Sequence, residues 1–156
     1  MYLLIGKYYG IVFIIDINLR EFVDVSADQH NVSAICWADE NGIAGGYGNG
    51  EFGPDHVLTR EQMVTVLWRY AKHKGYDVSV GEDTNILSYD DAFEISEYAI
   101  PAMQWACGSG ILVGSSHADG NGMVLAPKVM ITRAQLSVVL LRFDNWMKKQ
   151  AQVVPQ

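Results

Sequence analysis

Apolar residues recur at spacings of three and four in four stretches of the chain. In order these are Ala34, Ile35 and Ala38; then Met63, Val66, Leu67 and Tyr70; then Ile95, Ala99, Ala102, Met103 and Ala106; then Leu136, Val139, Leu140 and Phe143. That is the period of a helix with one face turned to a core, so four amphipathic helices are predicted. Asn41-Gly42 and Gly108 to Gly110 stop the first and third, where a left-handed residue is needed. The second and fourth open on Thr59-Arg60-Glu61-Gln62 and Thr132-Arg133-Ala134-Gln135. Both fit a capping box, in which Thr59 or Thr132 caps the third amide and Gln62 or Gln135 reaches back. Leu58 with Met63, and Ile131 with Leu136, are placed as hydrophobic staples. Pro101 suits the third helix only near its first turn, with Ser96 as the expected cap.

The pattern occurs twice. Trp37 matches Trp105, Ile43 matches Ile111 and Gly46 matches Gly114 at a shift of 68. Beyond the loop, Pro54, Thr59, Arg60 and Arg69 match Pro127, Thr132, Arg133 and Arg142 at a shift of 73. Upstream, Phe22-Val23-Asp24 aligns with Tyr89-Asp90-Asp91 at 67. Ordered identities on both sides of a length change predict an internal duplication, with an insertion around Ser115 to Gly122. The units run over 21–72 and 89–147, joined by a polar linker at 73–88 and followed by a polar tail at 148–156. Residues 1–20 stand apart. Their apolar run, Ile11 to Ile15, is β-favouring and ends at Asp16, so it reads as a short strand or extended segment. It is too short for a membrane span and lacks the cleavage site of a secretion signal.

Composition narrows the function. The chain has 156 residues, 49% of them hydrophobic and 19% charged, which suits one or two packed domains. A net charge of −7 argues against a nucleic-acid surface. Cys36 and Cys107 lack partners at ligand spacing and read as buried free thiols.

The Gly-rich loop Gly42 to Gly53 invites a phosphate-binding reading, which its details refuse. A phosphate loop needs a Lys-Ser/Thr pair opening the helix directly after the glycines, and a strand before them. Here the glycines follow a helix, and Asn49-Gly50 is a tight-turn dipeptide. His117 to Gly122 lacks the alternating ligands of a calcium loop. Ser115, His117 and Asp119 lie side by side with no nucleophile elbow. Asp90 and Asp91, adjacent near a helix start, suit the helix dipole better than acid–base chemistry. No metal, cofactor or catalytic group is expected.

One family has this combination of motifs. An aromatic-x-Asp start, a Trp in the first helix, Gly-Ile before a Gly-rich loop, an Asn-Gly or Asp-Gly turn, Phe-Gly-Pro, and Thr-Arg-x-x opening a helix that ends Leu-x-Arg together resemble the S-layer homology (SLH) domain. Phe22 to Tyr70 resembles it closely, and Tyr89 to Phe143 with a diverged loop. The resemblance implies an all-α fold in which tandem helix-loop-helix repeats share a central bundle. It also implies that inter-repeat grooves bind secondary cell-wall polysaccharide, often bearing pyruvate ketals, and so hold a surface protein on the bacterial wall. The family's polymer-gripping arginine maps onto Arg60 and Arg133, its groove-lining aspartate onto Asp24 and Asp91, its aromatic onto Trp37 and Trp105, and its loop glycines onto Gly45, Gly46 and Gly114. An Arg at the first position of a capped helix is expected to turn its fork outward, where it pairs bidentately with a carboxylate near the helix N-terminus. Trp37 and Trp105 are equally readable as core. The family usually has three repeats and this chain shows two, so one intrachain groove is expected. The alternative is a structural or interaction module that pairs with another SLH repeat. Two repeats and no visible secretion signal together lead to the expectation of a fragment, a mis-called start, or a remnant whose opening residues are not native to the module.

Overall fold

The computed structural model describes residues 3–4, 14–15, 22–116 and 120–153. Four helices dominate it: α1 at Val32–Glu40, α2 at Arg60–His73, α3 at Ile100–Gly108 and α4 at Arg133–Val153. Strands are confined to two-residue ladders. β1 (Leu3–Leu4) pairs antiparallel with β2 (Ile14–Ile15), and β3 (Ser115–Ser116) with β4 (Met123–Val124). The fold is therefore all-α, as the helical periodicity requires. Of the apolar N-terminal run, Ile14 and Ile15 are strand; Ile11, Val12 and Phe13 lie outside the described residues, as do His117, Asp119 and 154–156.

The predicted caps are in place. The Thr59 hydroxyl accepts from the Gln62 amide at 3.3 Å, and the Gln62 side chain accepts from the Thr59 amide at 2.9 Å. Thr132 and Gln135 do the same at 3.2 and 3.0 Å. Gly42 and Gly110, at φ +65° and +69°, end α1 and α3. One start differs. α3 begins at Ile100 rather than Ser96, because Pro101 must occupy the first turn; Glu97–Ala99 forms a 3-10 turn ahead of it. Ser96 is drawn off to bond Glu61 instead. α4 runs past the expected boundary at 147 to Val153.

The core gathers Met63 and Val64 of α2, Met103, Trp105 and Ala106 of α3, and Val139, Phe143 and Trp146 of α4. Trp105 is fully buried, with Trp146 edge-on at 5.1 Å and Phe143 at 6.1 Å. Each well-buried large side chain here contributes about 1.5–3 kcal/mol. The stretch at 73–88 is packed rather than loose. Gly81 lies so close to the Trp105 backbone that a Cβ would meet it at 3.0 Å, and Tyr76 sits edge-on to Trp146 at 5.6 Å.

Matching positions in the two halves make the same contacts. Val23 N donates to Gly50 O, and Asp90 N to Met123 O. Trp37 packs on Tyr70 and His73, as Trp105 does on Phe143 and Trp146. Tyr47 N bonds Glu51 O where Ser115 pairs with Val124, so the extra residues of the second half lengthen a hairpin already present in the first. The halves join where Leu58–Arg60 runs antiparallel to Val129–Ile131, through Arg60 N to Val129 O at 2.9 Å and Ile131 N to Leu58 O at 3.0 Å.

Candidate functional site

A groove of about 580 Å³ runs between the first Gly-rich loop and α2, with Tyr98 of the second half at its edge. Its floor follows from helical spacing: Gln62, Val66 and Arg69 fall at three and four along α2 and share one face. Opposite stand Tyr47, Phe52 and His56. The loop approaches this closely because glycine holds its bends. A Cβ on Gly46 (φ +69°) would run into the Glu51 carbonyl, and one on Gly53 (φ +73°) would meet the Tyr47 and His56 rings. Arg69 is half-buried, and no hydrogen bond or ion pair engages its guanidinium among the described residues. Aromatic edges, backbone amides and an uncommitted cation together make a surface suited to an acidic saccharide.

Among the residues singled out from sequence, Gly45 and Gly46 line this groove. Asp24 and Asp91 do something else. Asp24 accepts from the amides of Phe52 at 2.8 Å and Gly53 at 2.7 Å, and Asp91 from those of Leu125 at 2.8 Å and Ala126 at 2.6 Å. Each carboxylate clamps the far side of its own loop. The Phe52 amide, aided by Gly53 against a smaller effect of burial, holds the Asp24 carboxyl below its ordinary pKa.

The outward-facing forks predicted for Arg60 and Arg133 are not both found. Arg60 turns into the junction of the halves, where Nε donates to Leu125 O at 2.8 Å and Nη2 to Val113 O at 3.4 Å. Burial lowers its pKa, although a guanidinium stays cationic at any physiological pH. The reason is geometric: a first-turn side chain at the junction meets the carbonyls of the second half's loop, at Val113 and Leu125, before it meets solvent. Arg133, at the matching position, is exposed, and no hydrogen bond engages its side chain among the described residues.

The tryptophans also separate. Trp37 is 45% exposed, whereas Trp105 is fully buried and its indole N–H has no hydrogen-bond partner. Trp105 is core and has no face left for a polymer. Gly114 is a close-packing glycine, since a Cβ there would meet the Tyr89 ring and the Val124 carbonyl. Cys36 and Cys107 are half-buried free thiols; burial pushes both up, Cys107 to about 11, so neither is an activated nucleophile.

Glu61 stands where the halves meet and is only 3% exposed. It accepts from Ser96 N at 3.1 Å, Ser96 Oγ at 2.9 Å, Tyr98 Oη at 3.2 Å and Lys128 Nζ at 2.7 Å. Burial alone would raise its pKa, but Lys128 and the Ser96 donors outweigh that and leave it lowered. Burial and this carboxylate push Tyr98 up to about 12, so it stays a neutral phenol. Among the described residues no group of His, Cys, Asp and Glu could hold a metal. From sequence, Arg69 stood out only as the repeat match of Arg142, with no role at a site, and His56, Tyr47 and Tyr98 were not singled out. The spacing of Gln62, Val66 and Arg69 on one face was the available signal.

Comparisons with known proteins bear on this architecture. The chain is 30% identical over 128 residues to the Surface-layer 125 kDa protein of Lysinibacillus sphaericus, covering 81% of this chain and 10% of that one. It is 34% identical over 103 residues to the Endoglucanase of Bacillus sp. (strain KSM-635), covering 66% and 10%. The chain thus spans about a tenth of each of these relatives. No solved structure matches it. Residues 21–64, which hold α1, the Gly-rich loop and the start of α2, match the family model of the S-layer homology domain.

Proposed function

We propose that the chain is a non-catalytic cell-wall anchoring module built of two tandem S-layer homology repeats, 21–72 and 89–147. It binds secondary cell-wall polysaccharide, a pyruvylated polymer in this reading, in the groove between the first loop and α2 that Tyr98 of the second unit borders. The observation that carries this reading is Arg69: a half-buried guanidinium that no hydrogen bond or ion pair engages among the described residues, set in a groove with aromatic walls, suits a carboxylate on a sugar. Gly45 and Gly46 open the wall; Trp37, 45% exposed on α1, and exposed Arg133 are not among the groove's lining residues and would serve only a polymer reaching beyond it. Arg60 takes part by tying α2 to the second half through the carbonyls of Leu125 and Val113. Asp24 and Asp91 hold the loops in shape.

The domain match and the surface-layer relative indicate a bacterial cell-surface or cell-wall location. No helix among the described residues is long and apolar enough to cross a membrane. Two relatives with unlike names each match this chain over a tenth of their length, which suits a module carried by larger proteins.

The test is co-sedimentation with purified cell-wall sacculi before and after the secondary polymer is stripped. An anchor pellets with the intact wall and stays in solution with the stripped one. Equal pelleting with both would refute polymer recognition. A second reading, a structural or interaction module that has lost polymer binding, draws on the commitment of Arg60 to protein carbonyls. It predicts no pelleting with either preparation.

A further inference from the structure

The contact between the two halves uses one surface of each, and the chain carries a second, uncovered version of both surfaces. On the receiving side, Glu61, Val64 and Thr65 of α2 are at most 3% exposed, where α3 and the turn before it pack against that helix. Their counterparts on α4 at a shift of 73 are Ala134, Ser137 and Val138, and all three are exposed. Leu141, the counterpart of half-buried Trp68, is 61% exposed. Spacings of three, four and seven put these four on one face of α4. On the presenting side, Ala102 of α3 and Pro127 are buried at the junction, whereas the matching Ala34 of α1 is exposed and Pro54 half-exposed. The polar half of the contact is also vacant. Arg60 N and Nε donate to Val129 O and Leu125 O, and Glu61 N to Pro127 O. No such carbonyl faces Arg133 or Ala134 among the described residues.

From this unsatisfied pair of surfaces we infer that a second copy of this chain docks head to tail, its α1 and first loop seated on the α4 face of the first. The Arg133 N–H, the Arg133 Nε and the Ala134 N–H then meet the partner copy's carbonyls at His56, Phe52 and Pro54, as their counterparts do within the chain. Val138 and Leu141 lose their exposure beneath α1. Because the two patches differ, the interface is heterologous, and it either closes into a ring or extends. The inference rests on the two-repeat reading, and because Phe52, Pro54 and His56 also line the groove, association is measured without polymer.

Sedimentation velocity on the full chain tests it across the micromolar range. The wild type is expected to associate in a concentration-dependent way. Val138→Lys places a charge at the centre of the receiving face, and Ala34→Arg does so on the presenting face. Each variant alone is expected to stay monomeric with an unchanged far-UV spectrum. An equimolar mixture is expected to form a one-to-one complex, because each variant keeps the surface that the other has lost. Phe93→Lys, at a 90% exposed site away from both surfaces, is expected to associate like the wild type. A wild type that stays monomeric throughout would overturn the proposal. So would self-association by Ala34→Arg alone, which is the mark of an isologous α4–α4 contact. Wall pelleting is read separately, so loss of one property leaves the other measurable.

Discussion

At the residue scale, the most informative position is Ala126. Its φ of 53° makes it the one non-glycine in the left-handed region among the described residues, and its counterpart in the first half is Gly53, at φ +73°. Both amides are clamped by an aspartate, so the backbone cannot relax. An L-residue there costs about 1–2 kcal/mol, partly offset by the greater chain entropy of glycine. Ala126→Gly should therefore stabilise the fold by about 1 kcal/mol, raising the melting temperature by about 2–4 °C. An unchanged or lower melting temperature would show the site is not strained. Asp24 gives a pH test. Its carboxyl titrates lower in the folded chain than in the unfolded one, so its contribution is complete above the unfolded pKa, about 3.9. That contribution is lost as pH falls through the lower folded value. Denaturant midpoints measured from pH 6 down to 2 should fall in that acid window, and Asp24→Asn should flatten the decline.

The role of Asp24 was not legible in the sequence, because its partners lie 28 and 29 residues away and are backbone amides with no residue signature. Arg60 was legible as a fixed first-turn cation, but its partners are carbonyls 53 and 65 residues on, and only the folded junction brings them near. Arg69 and its helical face could be read from spacing. That the face borders a groove depends on how the loop packs, which spacing does not encode.

At the scale of elements, local rules fixed most boundaries. Thr59 and Thr132 start helices because their hydroxyls satisfy amides that the helix leaves bare, and these pairings span three residues. Thr59→Ala and Thr132→Ala should each cost about 1 kcal/mol in chemical denaturation. A cost near zero at Thr132 would mean that the N-terminus of α4 frays. The start of α3 was misplaced because Ser96 has a competing partner in another helix. That partner, Glu61, couples α2 to the approach of α3, and four donors converge on it. Glu61→Ala leaves the Ser96 amide and the Tyr98 hydroxyl without their acceptor, while half-exposed Lys128 returns to water. The expected loss is about 2–3 kcal/mol. Glu61→Gln, which retains an acceptor oxygen, should lose less. If the two variants were equally stable, the acceptor would not be what matters.

At the scale of the whole molecule, the described residues form two halves, a junction between them and an aromatic groove beside that junction. The fold was readable because its two halves report the same periodicity, caps and stops. The groove was only partly readable, since the loop glycines belong to it while the arginine first expected to grip the polymer is occupied by protein. The central claim is that the free guanidinium of Arg69 recognises an acidic wall saccharide. Isothermal titration of the purified pyruvylated polymer into wild type and Arg69→Ala tests it most directly, with far-UV spectra matched. Loss of a desolvated charge-assisted pair, about 1.5–3 kcal/mol, predicts binding weakened at least tenfold, and a comparable weakening of wild-type binding when the ketal carboxylates are removed from the polymer. Equal affinity for wild type and variant, with heats unchanged by removal of the ketals, would contradict it.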